Sequence, residues 1–282
     1  MRGYITHAVN SGSTDYVRMA YALALSLRRT QSEVSALTVV VADDQVVPSR
    51  YAHAFDHIIT VPNVRPDVVR KTWRVDNFVK FGRLSPYQET VTLDADMLFF
   101  DDVSHWWDAL SHQEIVGGAA YTYRGTLIEH NPLRLDLYAA NFPDLHNGFL
   151  YFKSGECSKR LFEKMTSNMA AWEYTCRRHF GRPGVPFSSD SAFLTALRDC
   201  GLEEAAISKT PGIPRFIHMK ACLQGWDEVA ATERDWRPYV DYHFDDNLFL
   251  YIDGRRIGDP FHYHVRDFIS DNLLKRYEAE VV

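Results

Sequence analysis

Apolar and polar positions follow two different periods along the first hundred residues. Short apolar runs that predict β-strands fall at 4–9, 36–42, 57–61 and 90–93. After the first run, Asp15 is a candidate N-cap, and residues 16–27 place apolar side chains at helical spacing. The 36–42 run lacks the alternation of a half-exposed strand, which indicates a sheet covered on both faces.

Strands alternating with helices predict an α/β fold with a mostly parallel sheet. Further segments extend this pattern, with helices predicted at 72–83, 159–177 and 190–199, and strands at 114–122 and 147–152. After Trp236 the pattern is aromatic and β-like, and it ends in a polar helix from about Asp267. Because neither a linker nor a repeat interrupts the chain, residues 1–282 are expected to form one domain with a C-terminal elaboration.

The composition is that of a globular protein and narrows the functional classes. With 46% hydrophobic and 24% charged residues, it excludes a disordered chain, collagen and a coiled coil. The net charge of -6 disfavours a non-specific nucleic-acid binder. Neither a signal-peptide pattern nor an apolar run of about eighteen residues is visible, so we expect a cytoplasmic protein without an integral membrane segment.

Two carboxylates separated by one residue carry the strongest chemical signal. Asp94 and Asp96 directly follow the apolar strand that ends at Leu93, and alternate residues of an extended chain point the same way. Ligands bind beyond the carboxyl ends of strands in such sheets, where paired carboxylates can hold Mg²⁺ or Mn²⁺. Neither a dinucleotide-binding glycine motif nor a phosphate-binding loop motif occurs.

Histidines could complete the coordination of such a cation. His218 follows the strand-like residues Phe216 and Ile217. His262 and His264 also have a metal-like spacing, although aromatic strands produce that spacing by chance. The residues leave open which of these imidazoles would be the third ligand.

Taken in order, the motifs resemble those of GT-A fold glycosyltransferases, most closely the glycogenin and galactosyltransferase-like family 8. Four places carry the resemblance: Thr6–Asn10 leading to Asp15 and Tyr16, Lys80 before Asp94-Ala95-Asp96, Asn147-Gly148-Phe149 followed by Asp190, and His218 with Trp226 eight positions later. The resemblance implies a GT-A type, Rossmann-like fold with a mixed, mostly parallel sheet flanked by helices. It also implies a nucleotide-binding half at 1–103 and an acceptor half with the C-terminal elaboration at 104–282.

The resemblance also implies an activity and a set of site residues. The enzyme would move a hexose, glucose or galactose, from a UDP-sugar to an acceptor with retention of configuration, using Mn²⁺ or Mg²⁺ bound by Asp94, Asp96 and His218. Asp190 and Ser191 would be the catalytic positions. The residues around the nucleotide and its sugar would be Thr6, Ala8, Asn10, Tyr16, Lys80, Ala95, Asn147, Gly148, Lys220, Gln224 and Trp226.

Some positions depart from the family pattern. Gln224 replaces a lysine and Ala221 a glycine, so Lys220 is the candidate to supply the missing charge; Ser191 stands where retaining enzymes usually carry glutamine. An inverting reaction with Asp190 as the base therefore stays open.

Two rival functions also stay open. One is a sugar nucleotidyltransferase, although residues 10–14 lack the glycine-rich basic loop usual in that class. The other is non-catalytic binding of a sugar or nucleotide on the same fold. The acceptor is equally open: a saccharide, a lipid-linked glycan, a protein or a modified nucleobase.

Overall fold

The computed structural model describes residues 1–12, 14–62, 77–129, 131, 134–219 and 235–281. The strands are β1 Arg2–His7, β2 Leu37–Ala42, β3 His57–Val61, β4 Glu89–Leu93, β5 Met97–Leu98, β6 Ile115–Tyr121, β7 His146–Lys153, β8 Arg215–His218, β9 Tyr242–Phe244, β10 Leu250–Ile252, β11 Arg255–Arg256 and β12 Phe261–His262. The helices are α1 Tyr16–Thr30, α2 Ser49–Ala52, α3 Phe81–Leu84, α4 His105–Leu110, α5 Leu135–Ala139, α6 Glu156–Ala170, α7 Trp172–Phe180, α8 Ser189–Cys200 and α9 Asp271–Val281, with a 3₁₀ turn at Arg237–Tyr239.

A nine-stranded sheet organises the fold, in the order β3-β2-β1-β4-β7-β6-β8-β12-β5. Its neighbouring strands are parallel except at β4–β7, β7–β6 and β12–β5. This mixed, mostly parallel sheet confirms the predicted fold class. Strands from both 1–103 and 104–282 contribute to it; the division of the chain into a nucleotide half and an acceptor half stays a prediction.

Apolar side chains cover both faces of the sheet. Along β2, Val39 and Val41 belong to a core cluster that includes α1, whereas Val40 and Ala42 face a second cluster that includes α6 and α8. Each strand residue therefore packs on one side or the other, which explains why the 36–42 run carries no polar alternation.

The C-terminal part adds a small sheet and a helix. Strands β9, β10 and β11 form a separate antiparallel sheet in the order β11-β10-β9, and α9 places Leu273, Leu274 and Tyr277 in the core cluster that includes α1. Among the helices of the described ranges, none has the length and apolar character needed to cross a bilayer.

Most predicted elements are present, and one helix prediction is wrong. The stretch 159–177 forms two helices, α6 and α7, which are separated at Ala171 with φ −114° and ψ 40°. The break lets Trp172 turn inward, where its Nε1 donates to the Val185 carbonyl at 2.8 Å. Of the helix predicted at 72–83, residues 72–76 lie outside the described residues, and α3 occupies 81–84.

The sheet topology gathers the chain's candidate ligands at one place. Since β7 is antiparallel to β4, its amino end lies beside the carboxyl end of β4, and Phe149 pairs with Leu93. The two-residue strand β12 lies between β8 and β5, so that His262 pairs with both His218 and Met97.

Candidate functional site

Two carboxylates and one imidazole converge just beyond the end of β4. His262 Nε2 lies 3.0 Å from Asp96 Oδ1 and 3.6 Å from Asp94 Oδ2. One potential ligand atom from each of the three residues lies within 4.8 Å of the others. Asp94 is the most exposed, with 38% of its side chain accessible, whereas His262 is buried. This oxygen-rich set with one nitrogen suits Mn²⁺ and related divalent ions.

A second group of possible ligands adjoins the first and consists of three imidazoles, which we call the imidazole group. His264 Nε2 lies 3.4 Å from His218 Nε2, and His264 Nδ1 lies 3.6 Å from Asp96 Oδ2. His218, His262 and His264 could likewise each offer a ligand atom within 4.8 Å. His264 adopts the left-handed φ of 58°, which is uncommon for a residue other than glycine. The predicted ligand His218 thus belongs to an imidazole group that shares His262 with the carboxylate group.

Gly148 leaves the space that Asp94 occupies. A Cβ built on Gly148 would lie 2.9 Å from Asp94 Oδ2, closer than real Cβ contacts come. The glycine thus forms a cradle in which the carboxylate can face His262. Together with the donor set itself, this packing shows that the residues present fit a bound divalent cation.

A cavity of about 220 Å³ adjoins the imidazole group. Its wall includes His218, His146 and Asp190, together with Arg134 and Ser191. The Ser191 hydroxyl is engaged in the cap of α8, because it accepts from the Ser188 N–H at 2.9 Å. Asp190, in the first turn of the same helix, is partly exposed to the cavity.

Asp190 is tied to the start of β7. The Asn147 N–H donates to Asp190 Oδ1 at 3.1 Å, and the Ser189 hydroxyl lies 3.5 Å from Asn147 Oδ1. Within the described residues, the buried Asn147 Nδ2 has no acceptor. A buried amide donor without a protein acceptor favours a ligand oxygen or a water at this place.

A buried arginine lies behind the cavity wall. Arg134 pairs with Asp144, donates to the Leu145 carbonyl at 2.6 Å, and lies 2.7 Å from His146 Nε2. Burial lowers the pKa of His146 well below its ordinary value, and the charge of Arg134 lowers it further. Burial also raises the pKa of Asp144, against the opposing effect of Arg134. No sequence motif singles out Arg134 or Asp144.

The residues predicted around the nucleotide occupy different environments. Thr6 and Ala8 are fully buried, and Ala95 is nearly so. The Asn10 side chain supports the start of α1, because its Oδ1 accepts from the Val17 N–H at 3.0 Å. Tyr16 packs partly buried against the core.

Of the remaining residues predicted at the donor site, only Lys80 lies within the described residues. Lys80 Nζ donates to Asn77 Oδ1 at 2.5 Å. Lys220, Gln224 and Trp226 lie outside the described residues. The roles predicted for all these residues stay predictions.

Comparison with solved structures identifies the fold. The galactosyltransferase LgtC in complex with donor and acceptor sugar analogs matches with a TM-score of 0.52 and 12% identity, over 100% of this chain and 95% of that one. An active-site mutant of LgtC matches with a TM-score of 0.50 and 13% identity, over 99% and 95%. The apo form of the glycosyltransferase GlyE of Streptococcus pneumoniae TIGR4 matches with 0.52 and 10%, over 100% and 60%.

These likenesses concern the fold. They confirm that the chain resembles GT-A glycosyltransferases in architecture. No protein-family model and no curated protein matches the sequence.

Proposed function

We propose that this protein is a metal-dependent glycosyltransferase that moves a hexose from a UDP-sugar to an acceptor. The observation that carries the proposal is the arrangement of Asp94, Asp96 and His262 at the sheet edge. The fold is shared with solved glycosyltransferases. His218, which groups with His262, lines a cavity that also bears Asp190. The identity of the hexose, glucose or galactose, and the retention of configuration rest on the sequence resemblance.

The division of labour among the residues follows from their positions. A divalent cation at the carboxylates would offset the negative charge that develops on a departing diphosphate. Asp94 and Asp96 would hold it, and the buried His262, which contacts both carboxylates, would be the nearest nitrogen ligand. His218 and His264 are the candidates for a further ligand position.

The cavity residues would hold the sugar. The Asp190 carboxylate can accept hydrogen bonds from sugar hydroxyls. The Asn147 N–H already orients this carboxylate by donating to its Oδ1. Asn147 Nδ2 offers a donor for an oxygen of the ligand. Fixing the sugar in this way would place its reacting carbon relative to the diphosphate, which is where much of the rate enhancement in bimolecular transfer arises.

The proposal is tested with a panel of UDP- and GDP-hexoses. Nucleotide release is measured with Mn²⁺, with Mg²⁺ and with a chelator, and donor binding is measured separately by calorimetry. We expect metal-dependent release from at least one UDP-hexose and its loss with the chelator. If no nucleotide sugar binds or turns over, the proposal is wrong.

Two aspartate variants locate the metal. Asp96→Ala should reduce metal-dependent donor binding by about 100-fold or more, whereas Asp271→Ala, at a side chain 85% exposed on α9, should behave as wild type. Retention of full activity by folded Asp96→Ala would reject the metal role of this carboxylate.

A further inference from the structure

Arg134 is a buried cation whose hydrogen bonds define its neighbours. The residue is 5% exposed, and its ion pair with Asp144 is among the most buried described for the chain's arginines. A buried guanidinium is tolerated because its charge is matched and its N–H groups are used. The charge of Arg134 is matched by Asp144, and its Nη groups contact Asp144, the Leu145 carbonyl and His146.

This arrangement fixes which nitrogen of His146 carries the proton. A guanidinium can donate hydrogen bonds but cannot accept them. Since Arg134 Nη1 lies 2.7 Å from His146 Nε2, a hydrogen bond between them requires Nε2 to accept, which places the proton of a neutral imidazole on Nδ1. His146 Nδ1 lies 4.0 Å from Asp190 Oδ2, so the imidazole turns its donor side toward that carboxylate.

Asp190 has a hydrogen bond on one side and two nitrogen atoms about 4 Å away on the other. Its Oδ1 accepts from the Asn147 N–H at 3.1 Å. Its Oδ2 faces His146 Nδ1 at 4.0 Å and Arg134 Nε at 3.9 Å. The Arg134 Nε atom is buried and has no hydrogen-bond partner among the described residues, and it faces this oxygen at a distance longer than a hydrogen bond. The remaining lone pairs of Asp190 are left to accept from a ligand.

The charges at this wall are unequal. Arg134 is shared by Asp144 and Asp190, and Asp136 on the cavity wall pairs with Arg182 at 2.6 Å. Among the residues that the structure describes at this wall, three carboxylates thus face two guanidinium groups, an excess of one negative charge. A neutral sugar can donate its hydroxyls to Asp190. A sugar carboxylate would meet a like charge, and the nearby cation is already engaged by Asp144.

We propose that Asp144, Arg134 and His146 are positioning residues that hold the Asp190 carboxylate as a hydrogen-bond acceptor, and that they restrict the cavity to an uncharged donor sugar. The proposal rests on the proposed function and names the class of sugar for it. Uronic acid donors are the class that it excludes.

The first test reads the protonated nitrogen of His146 directly. Long-range ¹H–¹⁵N spectra of the metal-free protein, with His146 assigned through His146→Gln, should show Nδ1 protonated and Nε2 as an acceptor. Arg134→Met should populate both tautomers, and Arg134→Lys, which keeps a cationic donor, should stay closer to wild type. A protonated Nε2 in the wild-type protein overturns the positioning role, whether or not the protein transfers sugars.

The second test compares donors. Wild type should use UDP-glucose or UDP-galactose over UDP-glucuronate by at least about tenfold in kcat/KM. Asp144→Asn frees the charge of Arg134 and should reduce that preference by about tenfold, whereas Asp271→Asn on α9 should leave it unchanged. Use of UDP-glucuronate as readily as neutral donors by wild type, or an unchanged ratio in a folded Asp144→Asn, overturns the donor class.

Failure of the variant to fold and failure of the proposed function have different consequences. If Asp144→Asn does not fold, the wild-type donor ratio decides the donor class. If no UDP-sugar is a substrate, the proposed function fails and the donor class fails with it, while the His146 spectrum alone decides the positioning role.

Discussion

Gly148 passes so close to Asp94 that a Cβ on the glycine would lie 2.9 Å from Asp94 Oδ2. The Gly148→Ala variant must therefore displace the carboxylate or the β7 backbone. We expect its affinity for Mn²⁺ and its rate of donor turnover to fall by about 10- to 100-fold, because a small displacement of a ligand weakens the whole site. Calorimetric titration with Mn²⁺ measures the effect.

Gly155 provides the matched control for that variant. It has a φ of 176°, which any residue adopts, and a Cβ there would meet nothing within 4 Å. Gly155→Ala should bind Mn²⁺ as wild type does. Equal affinities for the two alanine variants would show that the cradle at Gly148 does not position Asp94.

His262 should contribute more to metal binding than His218. His262 Nε2 is within 3.6 Å of both carboxylates, whereas the group of possible ligands that includes His218 consists of imidazoles. His262→Gln is therefore expected to weaken Mn²⁺ binding by about 10- to 100-fold, and His218→Gln by less. Titrations of both variants, with the exposed His243→Gln as a control for the substitution itself, establish the order. A larger loss in His218→Gln would assign the third ligand to His218.

Asp15 stabilises the first helix through its side chain. Its Oδ1 accepts from the Arg18 N–H at 3.0 Å at the start of α1. Asp15→Ala should lower the free energy of unfolding by about 1 kcal/mol, and Asp15→Ser, which keeps an acceptor, should lose less. Urea unfolding of the three proteins measures the difference. Equal losses in both variants would mean that the hydrogen bond to Arg18 is not the source of the stabilisation.

His179 should make the stability depend on acid pH. Its side chain is 4% exposed, and burial lowers its pKa in spite of Asp199, whose Oδ1 lies 3.2 Å from Nε2. Because the folded pKa is the lower one, the unfolded chain takes up the proton first, and this contribution to stability is lost as the pH falls below about 6.5.

The variant His179→Gln isolates that contribution. The difference in unfolding free energy between wild type and the variant should be largest above about pH 7 and should shrink toward about pH 5. Urea titrations across this range provide the measurement. A difference that grows on acidification would show that His179 is charged in the folded protein.

Local patterns sufficed where apolar residues run along one segment. The 36–42 run corresponds to β2 and its two-sided packing, and the strand predicted at 57–61 coincides with β3. The helix predicted at 16–27 continues to Thr30, because its polar last turn still forms intrahelical bonds. The end of α6 was missed because the tertiary contact of Trp172 with Val185, and not a glycine or proline, interrupts the helix.

Local sequence patterns predicted less of the candidate site than of the fold. Asp94 and Asp96 are adjacent to a strong strand signal, so their position could be predicted. The position of His262 depends on the register of the two-residue strand β12 against β5, which no local periodicity encodes. No sequence motif marks Arg134, because the residues around it come from β7 and from the segment before β7.

The contact between His262 and Asp96 joins residues 166 positions apart. Contacts this distant in sequence form slowly, because a long loop must close before they are made. During synthesis on a ribosome, the carboxylates would emerge well before their imidazole partner. The site formed by Asp94, Asp96 and His262 would therefore be complete only after the second half of the chain had been synthesised.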